Sequence, residues 1–263
     1  MSLLAVDGLS KTYRSPGRPA HQALTDVDLT VGQGEVVGLV GESGSGKSTL
    51  LRCVMRLVQP DAGSLAFDGR NLLTMGRNAL RGYRREVQMV HQDPAGSLNP
   101  RMTAHQLVAE GLLVHRRELP AAARREKVAE LLETVGINPG HQDRHPASFS
   151  GGQLQRIAIA RALAVSPRLL VCDEPVSALD VSVQAQVLNL LLDMREQLGL
   201  SLLFVSHDLA VVDHLCSRVY VLQAGRIVEE GPREQILADP RHPYTRRLLD
   251  AAPDPDRALA ART

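Results

Sequence analysis

The sequence predicts an α/β fold: a core built on a mainly parallel sheet, an antiparallel β edge region, and an inserted, mostly helical subdomain. Three observations predict it. The apolar run Val36–Val40 leads straight into Gly41–Ser48, which fits the pattern G-x-x-x-x-G-K-[ST]. Two further short apolar runs, Leu169–Cys172 and Leu202–Val205, read as strands buried on both faces of a parallel sheet. Between residues 93 and 165 strand signals are few, as an inserted helical subdomain requires.

The segment Gly41–Ser48 carries the first chemistry. A buried strand that turns sharply into a helix start points several backbone N–H groups at one spot. With the positive end of the helix dipole, those donors form a site for the phosphates of a nucleotide. Gly41, Gly44 and Gly46 allow the tight turn and the close approach of backbone to ligand. Lys47 would reach the β- and γ-phosphates, and the Ser48 hydroxyl would ligate Mg²⁺. Glu42, Ser43, Ser45 and Thr49 complete the stretch expected to contact the nucleotide.

Leu65–Phe67 followed by Asp68-Gly69 reads as a strand entering a turn in the antiparallel edge region. Val128, Leu131, Leu132 and Val135 share one helix face, and the preceding run Arg124–Lys127 reads as a solvated one. Val183, Val187, Leu190, Leu191, Met194 and Leu198 define a second helix with one apolar face. Arg218–Leu222 and Arg226–Glu230, joined across Gln223–Gly225, predict a terminal hairpin. The Pro-, Asp-, Arg- and Ala-rich stretch Pro253–Thr263 predicts a flexible tail.

Composition sets the outer bounds. A chain of 263 residues can bury the core of one large α/β domain carrying a subdomain. Thirty basic against 29 acidic residues give a formal charge of +1, so there is no global electrostatic footprint for nucleic acid. Cys53, Cys172 and Cys216 are far apart and form no C-x-x-C pair, which predicts core thiols and a reducing compartment. No run approaches the roughly 18–20 apolar residues needed to span a bilayer, and the first residues lack a signal-peptide pattern. The expectation is a soluble, cytoplasmic protein.

A second site element lies at Leu169–Glu174, where apolar residues end in two carboxylates. Ligands in open α/β sheets sit at that strand edge. Asp173 is placed just past the strand to hold Mg²⁺, and Glu174 to polarise an attacking water. The third element is Phe149–Arg156, containing Ser150, Gly151, Gly152 and Gln153 ahead of a helix-like run through Ala164. A serine and two glycines at a helix start make a second anion-binding site, with no lysine of its own.

With that element the sequence resembles the ATP-binding subunits of ABC transporters, whose signature is usually Leu-Ser-Gly-Gly-Gln. Phe149 stands at its first position, a change that should alter packing more than phosphate contact. The resemblance covers nearly the whole chain, as an ABC-type domain over residues 4–250 with the helical insert at 93–165 and the tail at 251–263. It implies that Tyr13 stacks on adenine and that Gln92 approaches Mg²⁺ and links the core to the helical subdomain. It further implies that Ser177–Asp180 is the D-loop, with Asp180 among the nucleotide-binding residues, and that His207 contacts the γ-phosphate.

The resemblance also implies ATP and Mg²⁺ as cofactors and a site shared between two ATPase subunits packed head to tail. Lys47, Ser48, Asp173, Glu174 and His207 would act in cis, and Ser150 to Gln153 on the partner's ATP. The stretch Gln92–Thr103 is similar to that of oligopeptide, dipeptide and nickel importer ATPases, as are Glu174–Gln186 and Asp239–Thr245 followed by Leu248-Leu249. Pro100-Arg101 looks like the F-type member of a pair of unequal ATPases. Implied partners are a second ATPase subunit, two transmembrane permease subunits and, indirectly, an extracytoplasmic solute-binding protein, with the chain peripheral on the cytoplasmic membrane face.

Two features depart from the pattern. His91 replaces a more usual phenylalanine, and no cysteine follows Cys216, so no iron–sulfur cluster is expected. Within the family, nickel or another small solute is the alternative cargo. A non-transport ABC ATPase would carry coiled-coil or zinc-bearing insertions, or two cassettes in one chain. A stand-alone kinase or GTPase would lack Ser150–Gln153.

Overall fold

The computed structural model describes residues 2–14, 16–17 and 19–251; the tail expected at Pro253–Thr263 lies outside these. Strands β1 (Ser2–Tyr13) and β2 (His21–Gly32) pair antiparallel, and β3 (Val36–Val40) runs into helix α1 (Lys47–Val54). There follow β4 (Ala62–Phe67), β5 (Arg70–Asn71), α2 (Arg77–Glu86) and β6 (Val87–Val90). Four helices come next: α3 (Pro94–Ser97), α4 (Ala104–His115), α5 (Ala121–Thr134) and α6 (Gly151–Leu163). The chain then alternates through β7 (Leu169–Asp173), α7 (Val181–Leu198), β8 (Ser201–Val205) and α8 (Leu209–Leu215). It closes with the hairpin β9 (Arg218–Gln223) and β10 (Arg226–Pro232), then α9 (Arg233–Ala238) and α10 (Pro243–Asp250).

Two sheets result. One is antiparallel in the order β2-β1-β4-β5, and the other runs β10-β9-β3-β8-β7-β6. In the second, every pairing from β9 to β6 is parallel, so these strands deliver their carboxyl ends to one edge. Strand alternation divides β3 between two cores. Val37 and Leu39 pack with Leu50, Leu51 and Val54 of α1, beneath the antiparallel sheet. Val36 and Val40 join the other core, with residues of α4, α6, α7 and α8. Helix α1 is therefore buried between sheets, which fixes where its first turn points.

The expected strands at Val36–Val40, Leu169–Cys172 and Leu202–Val205 are central and buried, and the hairpin from Arg218 is present. Strands β1 and β2 were not legible in the sequence. Repeated register shifts along their ladder break the apolar–polar alternation that would reveal them. Strand β6 also went unread, being four residues long at a sheet edge. Asp173 is the last residue of β7, not the first beyond it. Leu198, expected on the buried face of α7, is 56% exposed because it is the final helical residue before Gly199 turns left-handed (φ +64°).

All three cysteines are free and buried. Burial pushes the Cys53 thiol up to about 11 and Cys216 to about 12, and Cys172 higher still, so none is a ready thiolate.

The two sheets are tied by an ion-pair network on Arg218. Its guanidinium donates to Glu35 from Nε (2.8 Å) and Nη2 (3.1 Å), to the Thr30 carbonyl (2.8 Å) and to Tyr220 Oη (2.7 Å). Glu35 also accepts the Gly32 amide at 2.6 Å. Burial raises the Glu35 carboxyl, but Arg218 and the Gly32 amide outweigh it and hold the group below its ordinary 4.5. A group lowered on folding stabilises the chain above its unfolded value and loses that contribution as pH falls through the folded one. Arg218→Met should thus cost about 2 kcal/mol in urea unfolding at neutral pH. Glu35→Gln should weaken the fall in stability below pH 4.5.

Candidate nucleotide-binding site

Strand β3 enters the phosphate loop at Gly41, where φ is +153° and a Cβ would lie 2.2 Å from the Leu222 carbonyl of the neighbouring strand β9. The turn can therefore be made only by a residue without a side chain. At the far end Gly46 caps α1 with φ +112° and no side-chain hydrogen bond. No acidic residue stands in the first turn of α1. Like those of any first turn, its leading amides have no intrahelical acceptor, and here no side chain caps them or competes with an anion. The hairpin holds the loop from outside: the Gly225 amide donates to the Ser45 carbonyl (2.8 Å), and the Thr25 amide to the Gly225 carbonyl (2.8 Å).

Lys47 is 7% exposed, and its Nζ donates to the carbonyls of Gly41 (2.6 Å) and Glu42 (2.9 Å). Burial holds this ammonium below the usual lysine range, while Glu174, Asp173 and Glu42 pull the other way. A positive charge kept in so dry a place suits a polyanion. Ser45 Oγ is buried on the inner side of the loop near Gly41, and Ser45 does not line the cavity over it. Over the loop lies a cavity of about 680 Å³, within the range of small-ligand sites. Ser43, Gly44, Gly46, Lys47, Ser48 and Thr49 line one side; Gln92, Glu174 and His207 face them.

Those three residues arrive from the carboxyl ends of β6, β7 and β8. Glu174 has a left-handed backbone (φ +47°) held by its amide on the Val205 carbonyl (3.0 Å) and by Ser177 Oγ on its own carbonyl (3.1 Å). This aims its carboxylate into the cavity, where Oε2 meets Gln92 Nε2 (3.2 Å) and His207 Nδ1 (3.0 Å). Burial raises the adjacent Asp173 carboxyl and the Glu174 charge raises it further, against His91, Lys47 and Arg52. Asp173 lines a neighbouring depression with His91, Gln92 and Asp93. Among the described residues no cluster of three His, Cys, Asp or Glu side chains could hold a metal alone. A cation here would need phosphate and water oxygens beside Ser48 and Asp173, which is how Mg²⁺ is usually held.

The remaining expected residues are elsewhere. Ser150 caps α6, its Oγ accepting the Gln153 amide (3.3 Å) while Gln153 Oε1 accepts the Ser150 amide (3.0 Å). A Cβ on Gly152 would lie 2.3 Å from Val183 Cγ1, so this glycine is required by the packing of α6 on α7 as well as being suited to an anion site. Gly151 follows the same cap. Asp180 caps α7 through the Val183 amide (3.0 Å) and takes the Ser182 hydroxyl (2.8 Å), contacts that hold its carboxyl below the usual range. None of Ser150, Gly151, Gly152, Gln153 and Asp180 lines the cavity, nor does Tyr13, which pairs across the β1–β2 ladder with His21.

His21 and Ala23 do line it, and the sequence reading missed both. A strand assignment for residues 21–32 would have flagged His21. It also missed Tyr244, whose Oη accepts the Glu42 amide at 3.0 Å.

Comparison with known proteins agrees with this geometry. The family described as ABC transporter matches residues 24–177, and a model described as the C-terminal region of oligopeptide/dipeptide transporters matches 228–263. A Brucella ovis protein named for ATP binding in peptide import is 50% identical over 254 residues, 97% of this chain and 80% of its own length. The oligopeptide transport ATP-binding protein OppD of Mycobacterium tuberculosis is 49% identical over 97% of this chain and 43% of its own length. Among solved structures, the dimeric ATP-binding cassette MJ0796 in a post-hydrolysis state with ADP and phosphate superposes with a TM-score of 0.79. It is 31% identical, over 88% of this chain and 98% of that one.

The loop geometry makes a graded prediction. Gly41→Ala should cost at least about 2 kcal/mol in thermal or urea unfolding, because backbone must move to admit the methyl. Gly44→Ala meets nothing within 4 Å and bears only its φ of +80°, so it should cost about 1 kcal/mol.

Proposed function

The chain belongs to the ABC transporter family as one of its ATP-binding, ATP-hydrolysing subunits, and from that premise we propose that it powers peptide uptake as one ATPase of an importer. The observation that carries the proposal is the meeting of Lys47, Gln92, Glu174 and His207 over one phosphate loop. The cargo assignment rests on the match of residues 228–263 to the oligopeptide/dipeptide transporter C-terminal region and on relatives named for peptide import.

In this reading the amides of residues 41–49 and the Lys47 ammonium hold the β- and γ-phosphates. Tyr13 would stack on adenine, a role supported by its pairing with His21, which lines the cavity. Ser48, Gln92 and Asp173 would hold Mg²⁺, which when bound neutralises the phosphate oxygens. Glu174 orients and polarises the attacking water, and its contacts to Gln92 and His207 fix the carboxylate that accepts the water's proton. The water oxygen bonds to the γ-phosphorus as the bond to the β-γ bridging oxygen breaks, and His207, which lines the same cavity, would steady the departing phosphate.

Ser150, Gly151, Gly152, Gln153 and Asp180 act on the nucleotide of a second ATPase subunit. Their position away from the cavity of their own chain supports this assignment. The γ-phosphate then gives two subunits a shared charge to close on, and hydrolysis releases it. The helical insert at 93–165, within a domain spanning 4–250, would carry the signature element through that motion. Two permease subunits, fed by an extracytoplasmic solute-binding protein, would turn closure into transport. No helix among the described residues is long and apolar enough to cross a membrane, which suits a peripheral subunit on the cytoplasmic face.

Glu174→Gln should lower steady-state phosphate release by at least about a hundredfold. ATP binding should persist, and an ATP-dependent dimer should accumulate on size exclusion. Hydrolysis at the wild-type rate would remove Glu174 from its assigned role. In the assembled importer, uptake of labelled peptides should be lost with the same variant.

A further inference from the structure

The C-terminal segment reaches back to the phosphate loop through a single buried side chain. Tyr244, 3% exposed, sits in the first turn of α10 and accepts the Glu42 amide on its hydroxyl at 3.0 Å. Glu42 is the hub of the loop's internal contacts. Its carbonyl accepts both Lys47 Nζ (2.9 Å) and the Ser45 amide (3.2 Å). The Glu42 amide belongs to the same peptide group as the Gly41 carbonyl, which accepts Lys47 Nζ at 2.6 Å, so the peptide that holds the lysine is itself held by a tyrosine some 200 residues away in sequence.

Tyr244 is in turn anchored firmly. Its amide donates to His242 Nδ1 at the start of α10 (3.2 Å). The segment before it is clasped by Glu229 of β10, whose two carboxylate oxygens accept the amides of Arg241 (2.7 Å) and His242 (3.1 Å). Burial raises the Glu229 carboxyl, but the nearby Thr245 hydroxyl and those two amides hold it below the usual range, so the clasp is charged at neutral pH. Arg246 Nε closes the turn on the Pro240 carbonyl (2.8 Å). The Tyr244 ring packs in the same core as Val219, Val221 and Ile236.

We propose that Tyr244 is a positioning residue for ATP: it fixes the Gly41–Glu42 peptide, and through its carbonyl the place of Lys47, so that the β10–α10 segment sets the affinity of the phosphate loop. The proposal rests on the reading that Lys47 holds the nucleotide phosphates. A loop with several left-handed residues has many alternative peptide orientations, and an external acceptor on one amide selects among them. Removing the hydroxyl frees the Gly41–Glu42 peptide to rotate, which displaces the Gly41 carbonyl that meets Lys47. The cost falls on nucleotide binding more than on the chemical step, because the Glu174 contacts with Gln92 and His207 do not pass through Glu42.

The test uses Tyr244→Phe, which keeps the packed ring, alongside Glu229→Gln, which loosens the clasp from outside the core, and Lys47→Ala. ATP binding to the full chain and steady-state hydrolysis with its partner subunits are measured for each, together with the unfolding midpoint. Tyr244→Phe should raise KM and the ATP dissociation constant about five- to tenfold, with a smaller change in kcat. Glu229→Gln should act in the same direction, and the double variant should be no worse than Tyr244→Phe alone, since both act through one contact. Loss of ATP binding in Lys47→Ala with unchanged KM in Tyr244→Phe would overturn the proposal, even if the midpoint fell. Undiminished ATP binding by Lys47→Ala would instead overturn the reading of the site, and the proposal with it.

Discussion

The site depends first on a steric constraint at Gly41. There the chain leaves a strand buried between two neighbours and must turn at once, with a carbonyl of β9 where a side chain would begin. Because β3 cannot shift without disturbing β8 and β9, the loop's starting point is fixed to within the tolerance of a packed sheet. Because α1 is buried between the two sheets, its end point is fixed as well. A short loop with both ends fixed has little freedom left, and the β9–β10 turn and Tyr244 remove part of what remains. Backbone amides so restrained can meet a charged ligand with little reorganisation, which is what makes them effective donors.

Charge is arranged on the same scaffold. A lysine is held in a dry place by loop carbonyls, and two carboxylates stand beside it at a strand end. Burial works against the charged forms of both Lys47 and Asp173. The opposite charges offset part of that cost, and a polyanion with its cation would offset more. Glu174 is treated differently from Asp173. Its strained backbone and its two side-chain partners aim it across the cavity, a geometry suited to handling a water molecule.

Much of this was legible in the sequence because local chemistry demands local residue types. The loop Gly41–Ser48, the paired Asp173-Glu174 and the three central strands each announce themselves within a few residues. Gln92 and His207 were placed by resemblance, and in the structure each follows a parallel strand ending at the same edge. What stayed hidden depends on distant parts of the chain meeting. His21 lines the cavity from a strand whose pattern is broken by bulges. Tyr244 was noticed as part of a family-like segment, but nothing near it in sequence points to Glu42. Gly152 read as part of an anion site, while its packing against Val183 needs the crossing of two helices to be known.

The central claim is that one chain holds half of each site and that the element at Ser150–Gln153 serves the other half. Equilibrium ATP binding to the isolated chain, dilute enough to stay monomeric, tests it most directly by comparing Ser150→Arg with Lys47→Ala. The account predicts that Lys47→Ala loses binding at least tenfold while Ser150→Arg binds as the parent does, its defect appearing only in hydrolysis by the assembled subunits. Equal loss of monomer binding in both variants would place the serine on its own chain's nucleotide and contradict the account.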